Sequence, residues 1–194
     1  MFKLYDDYIS EELRNKLVHD ERYQQMRRME YKFATIESLP LSRSPIEQVL
    51  HNIWKNVIDY DEYKDGVIEY WVNKDRAING KCNANHLWHS DVYEPNSKTR
   101  HEWQDGELGC VYYPYVDCLG GYFELLDNNR KLSEKEYRMY AMTMDPATQA
   151  ERFKAKTNRA IFFKPYRIHR VSRIYHGIRE SLASTAWKKK PVDF

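Results

Sequence analysis

The sequence is poor in cysteine and has no glycine-rich loop of the kind that holds phosphate groups. Its three cysteines, Cys82, Cys110 and Cys118, are irregularly spaced, and none belongs to a Cys-x-x-Cys pair. An odd, irregular set of this kind predicts reduced thiols on buried strands rather than a disulfide framework. Because strand and helix patterns also do not alternate regularly, the sequence argues against a doubly wound nucleotide-binding fold.

Neither sign of charge dominates, and there is no long hydrophobic run. The chain has 31 Lys and Arg against 29 Asp and Glu, a net charge of +2, which gives no support to a surface for nucleic acid. No window approaches the roughly 20 apolar residues of a membrane span. The opening residues, "MFKLYDDYISEEL", lack the apolar region of a signal peptide. We therefore expect a soluble, cytoplasmic protein with neither a membrane nor a nucleic-acid partner.

The composition is that of one folded domain with its own core. The 194 residues are 42% hydrophobic and 14% aromatic, which excludes a disordered chain. Residues 1–62 are predicted to form a helix-rich support, in which Ser10 caps a first short helix. In a second helix Ser44 is the N-cap, Pro45 is the first helical residue, and Glu47 completes a capping box. The apolar stripe of this second helix consists of Ile46, Val49, Leu50, Ile53 and Val57.

After Gly66 the chain consists of short segments rich in β-branched and aromatic residues, separated by turn-forming residues. These segments are "VIEYWVN", "NHLWHSDVY", "GELGCVYYPYV", "GYFELLD", "RAIFFKPY", "IHRVSRI" and "RESLASTAW". A stretch at about 133–156 has a helical pattern and interrupts the series. Helices followed by many short strands predict a mainly β fold, a sandwich or barrel with supporting N-terminal helices and one helical insertion.

One of the predicted strands contains a His-x-Asp pair. Because side chains alternate along a strand, His89 and Asp91 point to the same side, but one such pair among seven histidines arises by chance about half the time. His169 follows a later apolar strand, and Arg179 comes soon after it. Two imidazoles and one carboxylate can bind Fe(II) on one face and leave positions open for a cosubstrate and oxygen. The planar guanidinium of an arginine deeper in a barrel suits a carboxylate.

The segment from about 67 to 187 resembles the Fe(II)/2-oxoglutarate-dependent dioxygenases, specifically their prolyl-4-hydroxylase-like branch. The shared pieces, in the order in which that family has them, are "EYWVN", "WHSD", "CVYYPY", "LGGYFEL", "RAIFFKP", "HRV" and "GIRESL". The resemblance implies a double-stranded β-helix (jelly roll) as the core over residues 66–187. It also implies that residues 1–194 form a single oxygenase domain.

The site residues of that family map onto six positions of this chain. The resemblance implies that the catalytic metal ligands are His89, Asp91 and His169, and that the cosubstrate is bound by Arg179, Tyr113 and Ser181. Arg179 would anchor the 5-carboxylate of 2-oxoglutarate, Tyr113 would hydrogen-bond the same group, and Ser181 matches the arginine-x-serine form of the anchor. Alternation puts Tyr112 and Tyr113 on opposite faces of their strand, and we assign the Tyr113 face to the barrel interior. The pair Gly120–Gly121 matches a turn before the next core strand.

Some features depart from the family pattern or allow another interpretation. The family has no counterpart of the insertion at 133–156, and Trp187 comes later than expected for an aromatic that lines the pocket. Tyr93 resembles a position that contacts substrate in relatives, although a rim aromatic is an equal interpretation. A zinc site of the His-x-x-His type would pair His86 with His89, but on a strand these two side chains point to opposite faces.

The implied activity is oxidative decarboxylation of 2-oxoglutarate to succinate and CO2, coupled to hydroxylation of a substrate. Fe(II) is the implied metal, molecular oxygen the co-reactant and ascorbate a candidate stimulant. The branch favours a prolyl residue of a protein or peptide, and a free amino acid or other small-molecule metabolite is the alternative. Two further interpretations stay open. One is a cupin-like metalloprotein that does not use 2-oxoglutarate and would not need Arg179. The other is a jelly-roll binding module whose triad is vestigial.

Overall fold

The structure is a computed structural model that describes residues 2–28, 30–78, 81–82, 88–93, 104–105, 108–126 and 150–189. Within these ranges antiparallel strands dominate. The strands are β1 (Lys3–Tyr5), β2 (Lys32–Thr35), β3 (Val67–Ile78), β4 (Lys81–Cys82), β5 (Val92–Tyr93), β6 (Gln104–Asp105), β7 (Leu108–Gly120), β8 (Phe123–Leu126), β9 (Ala150–Phe153), β10 (Arg159–Phe163), β11 (His169–Val171) and β12 (Ile174–Trp187). The helices are α1 (Glu11–Val18), α2 (Glu21–Gln25), α3 (Pro45–Trp54) and one 3₁₀ turn (Leu39–Leu41).

The two predicted helices begin where the sequence places them. The Ser10 side chain caps α1 by accepting a hydrogen bond from the Leu13 N–H at 3.3 Å. Ser44 occupies the N-cap position of α3, but within the described part of the chain its side chain makes no capping hydrogen bond. The predicted capping box is therefore wrong. In such a box the Glu47 side chain would accept a hydrogen bond from the Ser44 N–H. In this structure the Ser44 N–H donates to the hydroxyl oxygen of Ser42 at 3.1 Å.

A large antiparallel sheet carries most of the fold. Its strand order is β1-β10-β7-β12-β3-β2, with β4 added beside β3. The long strand β12 pairs with β3 on one side and with β7 on the other, and this register sets Arg179 directly opposite Asp75. A smaller sheet has the order β11-β8-β9. The prediction of a mainly β fold with supporting N-terminal helices is confirmed.

Two hydrophobic clusters lie on the two faces of the large sheet. The outer cluster joins the helices to the sheet and includes Leu17, Leu50, Trp54, Tyr112 and Phe162. The inner cluster joins the two sheets and includes Trp71, Tyr113, Phe123, Leu125 and Phe163. Tyr113 thus lies on the inner face and Tyr112 on the outer face, as the alternation along β7 predicts. The apolar stripe of α3 also faces a core, since Ile46, Val49, Leu50 and Ile53 are buried.

The structure differs from the sequence-based expectations at two further places. The N-terminal support over residues 1–62 contains strands β1 and β2 besides its helices. Of the predicted helical insertion at about 133–156, residues 133–149 lie outside the described ranges, and residues 150–156 are not helical. Ala150–Phe153 forms β9, because it pairs with β8 and its Phe153 ring packs on Phe2 at 4.4 Å. Tertiary pairing overrides the local helix propensity there. None of the described helices has the length and apolar character to cross a membrane.

Candidate metal and cosubstrate site

Two segments far apart in the sequence bring three metal-ligand side chains together. His89 and His169 form an antiparallel bridge in which the N–H of each donates to the carbonyl oxygen of the other, at 2.9 Å and 2.7 Å. The Asp91 N–H donates to the Pro165 carbonyl oxygen at 3.0 Å. As a result, ligand atoms of His89, Asp91 and His169 lie within 4.8 Å of one another. The structure therefore assembles the set that was predicted as a facial triad, and this set is one that Fe(II) binds.

Hydrogen bonding fixes which nitrogen of His169 can bind a metal. Its Nδ1 lies 2.8 Å from the carbonyl oxygen of Arg167. A carbonyl oxygen only accepts, so Nδ1 carries the hydrogen and Nε2 keeps its lone pair. The same Nε2 lies 3.5 Å from Oδ2 of Asp91. The lone pair is therefore directed at the point where the triad converges.

The Asp91 carboxylate is held in its charged form. Burial acts to raise its pKa, but in the metal-free protein the imidazoles of His169 and His89, in their protonated form, outweigh this effect and leave the pKa below its usual value. The Nε2 atom of His89 lies 3.7 Å from Oδ1 of Asp91. A carboxylate that stays ionised is available as a ligand without first losing a proton, which is what a metal site needs.

The triad is closed on one side and open on the other. The His169 ring packs against the rings of Phe163 and Phe123, with centroids 4.7 Å and 5.5 Å away, and its side chain is 5% exposed. The His89 side chain is 37% exposed. The inner hydrophobic cluster therefore packs against the His169 side of the triad, and the His89 side is the more exposed one.

Arg179 is buried on the inner face of β12, but it already has an anionic partner. Its guanidinium forms an ion pair with Asp75, which lies opposite it on β3. The Arg179 side chain is 1% exposed and that of Asp75 is 0% exposed. Nη1 of Arg179 also donates to the carbonyl oxygen of Gly121 at 3.3 Å. Asp75 was missed by the sequence analysis. The one available signal was an acidic residue on the inward-facing side of a buried strand.

Two buried donors beside this pair have no acceptor among the described residues. These are Nε of Arg179 and the hydroxyl of Tyr113. Burial raises the pKa of Tyr113 to about 12, with the Arg179 charge opposing and the Asp75 charge adding to this shift. The phenol therefore remains a donor at neutral pH. Buried donors without acceptors are costly, and a carboxylate accepts hydrogen bonds from donors of both kinds. The chemistry of these two residues thus fits the anionic end of 2-oxoglutarate.

The neighbours of Arg179 on the predicted motifs occupy consistent positions. Ser181 is buried on the same face of β12 and lies opposite Asn73 of β3. Gly120 and Gly121 both have positive φ, at 87° and 69°, a region that glycine adopts without strain. A Cβ on Gly121 would lie 3.4 Å from Nη1 of Arg179. The turn therefore brings its backbone close against the guanidinium.

A second polar feature lies on the inner face near the triad. Glu69 of β3 is 9% exposed, and it accepts a hydrogen bond from Nε1 of Trp187 at 3.0 Å. Burial raises the pKa of Glu69 to about 7, the Trp187 hydrogen bond opposes this shift, and the charge of Asp91 adds to it. Beside it the Tyr31 and Trp71 rings pack against each other at a tilt of 50°, with centroids 5.1 Å apart. Trp187 contacts this region through its hydrogen bond to Glu69, whereas Glu69, Trp71 and Tyr31 were not singled out from the sequence.

Three positions weighed from the sequence are not described here. His86 lies outside the described residues, as do the side chains of Tyr93 and Cys82. The zinc alternative that involves His86 and the substrate contact by Tyr93 therefore stay predictions. Cys110 is buried on β7, as expected for a reduced thiol, and Cys118 of the same strand is partly buried.

Comparisons with known proteins give a consistent fold. No protein-family model matches the chain, and no curated protein matches it in sequence. Among solved structures it is similar to HygX from Streptomyces hygroscopicus with nickel and 2-oxoglutarate bound, with a TM-score of 0.60, 11% identity and coverage of 100% of this chain and 83% of that one. It is also similar to the truncated viral collagen prolyl hydroxylase of Paramecium bursaria chlorella virus-1, with a TM-score of 0.59, 11% identity and coverage of 95% and 88%.

A prolyl-4-hydroxylase from Pseudomonas putida is similar as well, with a TM-score of 0.57, 10% identity and coverage of 98% of this chain and 93% of that one. At these identities the likeness concerns the fold. The chain has the jelly-roll fold of these 2-oxoglutarate/Fe(II) oxygenases, and the prediction of fold class is confirmed.

Proposed function

We propose that this protein is an Fe(II)- and 2-oxoglutarate-dependent dioxygenase that forms succinate and CO2 while it hydroxylates a substrate. The observation that carries the proposal is the combination of two sites on one inner face. A converging His89–Asp91–His169 set lies at the open end, and buried donors of Arg179 and Tyr113 lie deeper in the barrel. In this proposal residues 1–194 are one oxygenase domain, with residues 66–187 as its core.

The chain's own residues have separate tasks in this proposal. Fe(II) and 2-oxoglutarate, when bound, would supply the chemistry that activates molecular oxygen, which is the oxidant of the reaction. His169 is oriented for the metal by its hydrogen bond to the Arg167 carbonyl oxygen, and Asp91 contributes a charge that is already present. Arg179 and Tyr113 orient the cosubstrate by its far carboxylate. The inner hydrophobic cluster excludes water from the space between these two groups.

The donors beside Arg179 favour this function over a cupin-like metalloprotein without 2-oxoglutarate. A site that binds only a metal has no use for two buried donors, Nε of Arg179 and the Tyr113 hydroxyl, that lack an acceptor among the described residues. The intact triad likewise favours an enzyme over a binding module. For the prime substrate, the branch of the resemblance favours a prolyl residue, and a free amino acid or other small metabolite is the alternative. The proposed location of the protein is the cytoplasm, where it would be soluble.

Two measurements on the purified protein test this function. The first is succinate formation from 2-oxoglutarate with Fe(II) and ascorbate, and the second is calorimetric binding of 2-oxoglutarate to protein loaded with Ni(II). Asp91→Ala should abolish both metal binding and turnover. Asp61→Ala is the matched control, because Asp61 is exposed and far from the triad in the chain. Failure of the metal-loaded protein to bind 2-oxoglutarate, or full activity of Asp91→Ala, would contradict the proposal.

A further inference from the structure

We propose that Glu69, together with the Trp71 and Tyr31 rings, forms a subsite for a positively charged amine of the prime substrate. This inference rests on the proposed function, because it names the substrate class of the same site. It also decides between the two substrate classes left open above. A prolyl residue within a peptide has a neutral amide nitrogen without a hydrogen, whereas a free amine carries a charge and donors.

The inference rests on a comparison of Glu69 with the other buried carboxylates, which have cationic partners. Among the described residues, three carboxylate side chains are buried: Glu69, Asp75 and Glu124. Asp75 pairs with Arg179. Glu124 lies 2.8 Å from Nε of Arg152 and 2.7 Å from Nε of Arg170. A buried charge needs such a partner because its desolvation is costly.

Glu69 is the exception in this set. The hydrogen bond from Trp187 satisfies one oxygen, Oε2. In the described part of the chain no Lys or Arg forms an ion pair with it, and burial is the main reason that its pKa is raised. A cationic group of the substrate would supply the positive charge that no described Lys or Arg provides to Glu69.

The surroundings of Glu69 suit a cation and lie beside the triad. Trp71 is 8% exposed and Tyr31 is 44% exposed, so the accessible ring surface of this tilted pair belongs mainly to Tyr31. Aromatic faces attract ammonium groups, and a carboxylate accepts charge-assisted hydrogen bonds from them. Burial is the main cause that raises the pKa of Tyr31 to about 12, and the charges of Asp91 and Glu69 add to this shift. The subsite and the metal ligands therefore share one neighbourhood.

The experiment compares two small probes that differ in charge. Pyrrolidine is a cyclic cation, and N-acetylpyrrolidine has the same ring with the neutral amide of a peptide-bound proline. Their binding to protein loaded with Zn(II) and 2-oxoglutarate is measured by saturation-transfer NMR at about pH 8, where a carboxyl group with a pKa of about 7 is mostly ionised. Wild-type protein should bind pyrrolidine about tenfold more tightly or better, the ratio expected for a charge-assisted hydrogen bond.

Three variants test whether Glu69 is the cause of this preference. Glu69→Gln keeps the shape and an acceptor for Trp187, and it should lose the preference by weakening pyrrolidine about tenfold without changing N-acetylpyrrolidine binding. Glu69→Asp retains the charge and should retain part of the preference. Glu12→Gln makes the same chemical change on exposed α1 and should change neither. Thermal melting of each variant checks that it is folded.

Equal binding of the two probes by wild-type protein would overturn the inference, as would a pyrrolidine preference that survives in Glu69→Gln. Binding of 2-oxoglutarate is measured in the same samples. If 2-oxoglutarate binds but the amine preference is absent, the subsite is wrong and the proposed function stands. If 2-oxoglutarate does not bind, the proposed function itself fails.

Discussion

The substitution Asp75→Asn should make the protein less stable and, at the same time, tighten its binding of 2-oxoglutarate. Asp75 and the cosubstrate's 5-carboxylate would compete for one guanidinium, because Arg179 is paired with Asp75 in the absence of ligand. Bound 2-oxoglutarate would therefore place two carboxylates around Arg179 in a site from which water is excluded. Asparagine keeps the size of the side chain and removes the competing charge.

The magnitudes of the two effects follow from burial and charge. Removing one partner of a buried ion pair costs about 3–5 kcal/mol of folding stability. Two carboxylates on either side of one guanidinium, roughly 6 Å apart, repel each other by about 3 kcal/mol at an effective dielectric constant of about 20. Relief of that repulsion corresponds to about a 100-fold lower dissociation constant for 2-oxoglutarate. Asp75→Asn should thus be rescued by 2-oxoglutarate to a greater extent than wild-type protein.

Calorimetry with Ni(II)-loaded protein gives the dissociation constant, and thermal melting with and without 2-oxoglutarate gives the stability and its rescue. Asp61→Asn, a change of the same kind at an exposed position, should leave both quantities unchanged. Weaker 2-oxoglutarate binding in Asp75→Asn would refute the competition and show instead that Asp75 orients Arg179 for the ligand. An unchanged dissociation constant would show that the cosubstrate does not reach Arg179.

The same ion pair changes what Arg179→Ala can show. This variant strands the buried charge of Asp75 and should lose about 3–5 kcal/mol of stability, so a loss of activity would not separate ligand binding from folding. The double variant Asp75→Asn with Arg179→Met removes both charges. It should fold better than Arg179→Ala and still fail to bind 2-oxoglutarate. The paired measurement of melting temperature and calorimetric binding distinguishes the two effects.

Three further outcomes are expected. In metal-free protein the pKa of Glu69 is raised from 4.5 to about 7, so the folded state binds this proton more tightly. The contribution of Glu69 to stability should be full below pH 4.5 and should decline by about 3 kcal/mol as the pH rises from there through 7. Urea unfolding at several pH values should show this contribution in wild-type protein and not in Glu69→Gln. Tyr113→Phe should weaken calorimetric 2-oxoglutarate binding about fivefold, the effect of one hydrogen bond, without lowering the melting temperature of the free protein. Gly177→Ala should cost about 2 kcal/mol or more in urea unfolding, because Gly177 has a φ of 88° and an added Cβ would overlap the carbonyl oxygen of Asp117.

Local patterns in the sequence were enough to predict the parts of the fold that depend on neighbours along the chain. The apolar stripe of α3 and the alternation along β7 follow from the periods of helices and strands. The side of β7 on which Tyr113 lies was therefore predictable. The Ser10 cap was predictable for the same reason, since a cap involves residues three apart. Ser44 shows the limit of such rules, because Ser42 took the N–H that the capping box needs.

The contacts between distant segments were decided by the tertiary structure. His89 and His169 meet through a backbone bridge, and the register of β12 on β3 sets Asp75 against Arg179. The sequence could nominate the triad through a resemblance, but it carried no sign that the anchoring arginine already has a partner. The hydrogen bond between Glu69 and Trp187 could not be predicted from the sequence either, because these residues lie on two different strands, β3 and β12. Which strands pair, and in which register, depends on the burial of both faces at once, and no local stretch of sequence contains that information.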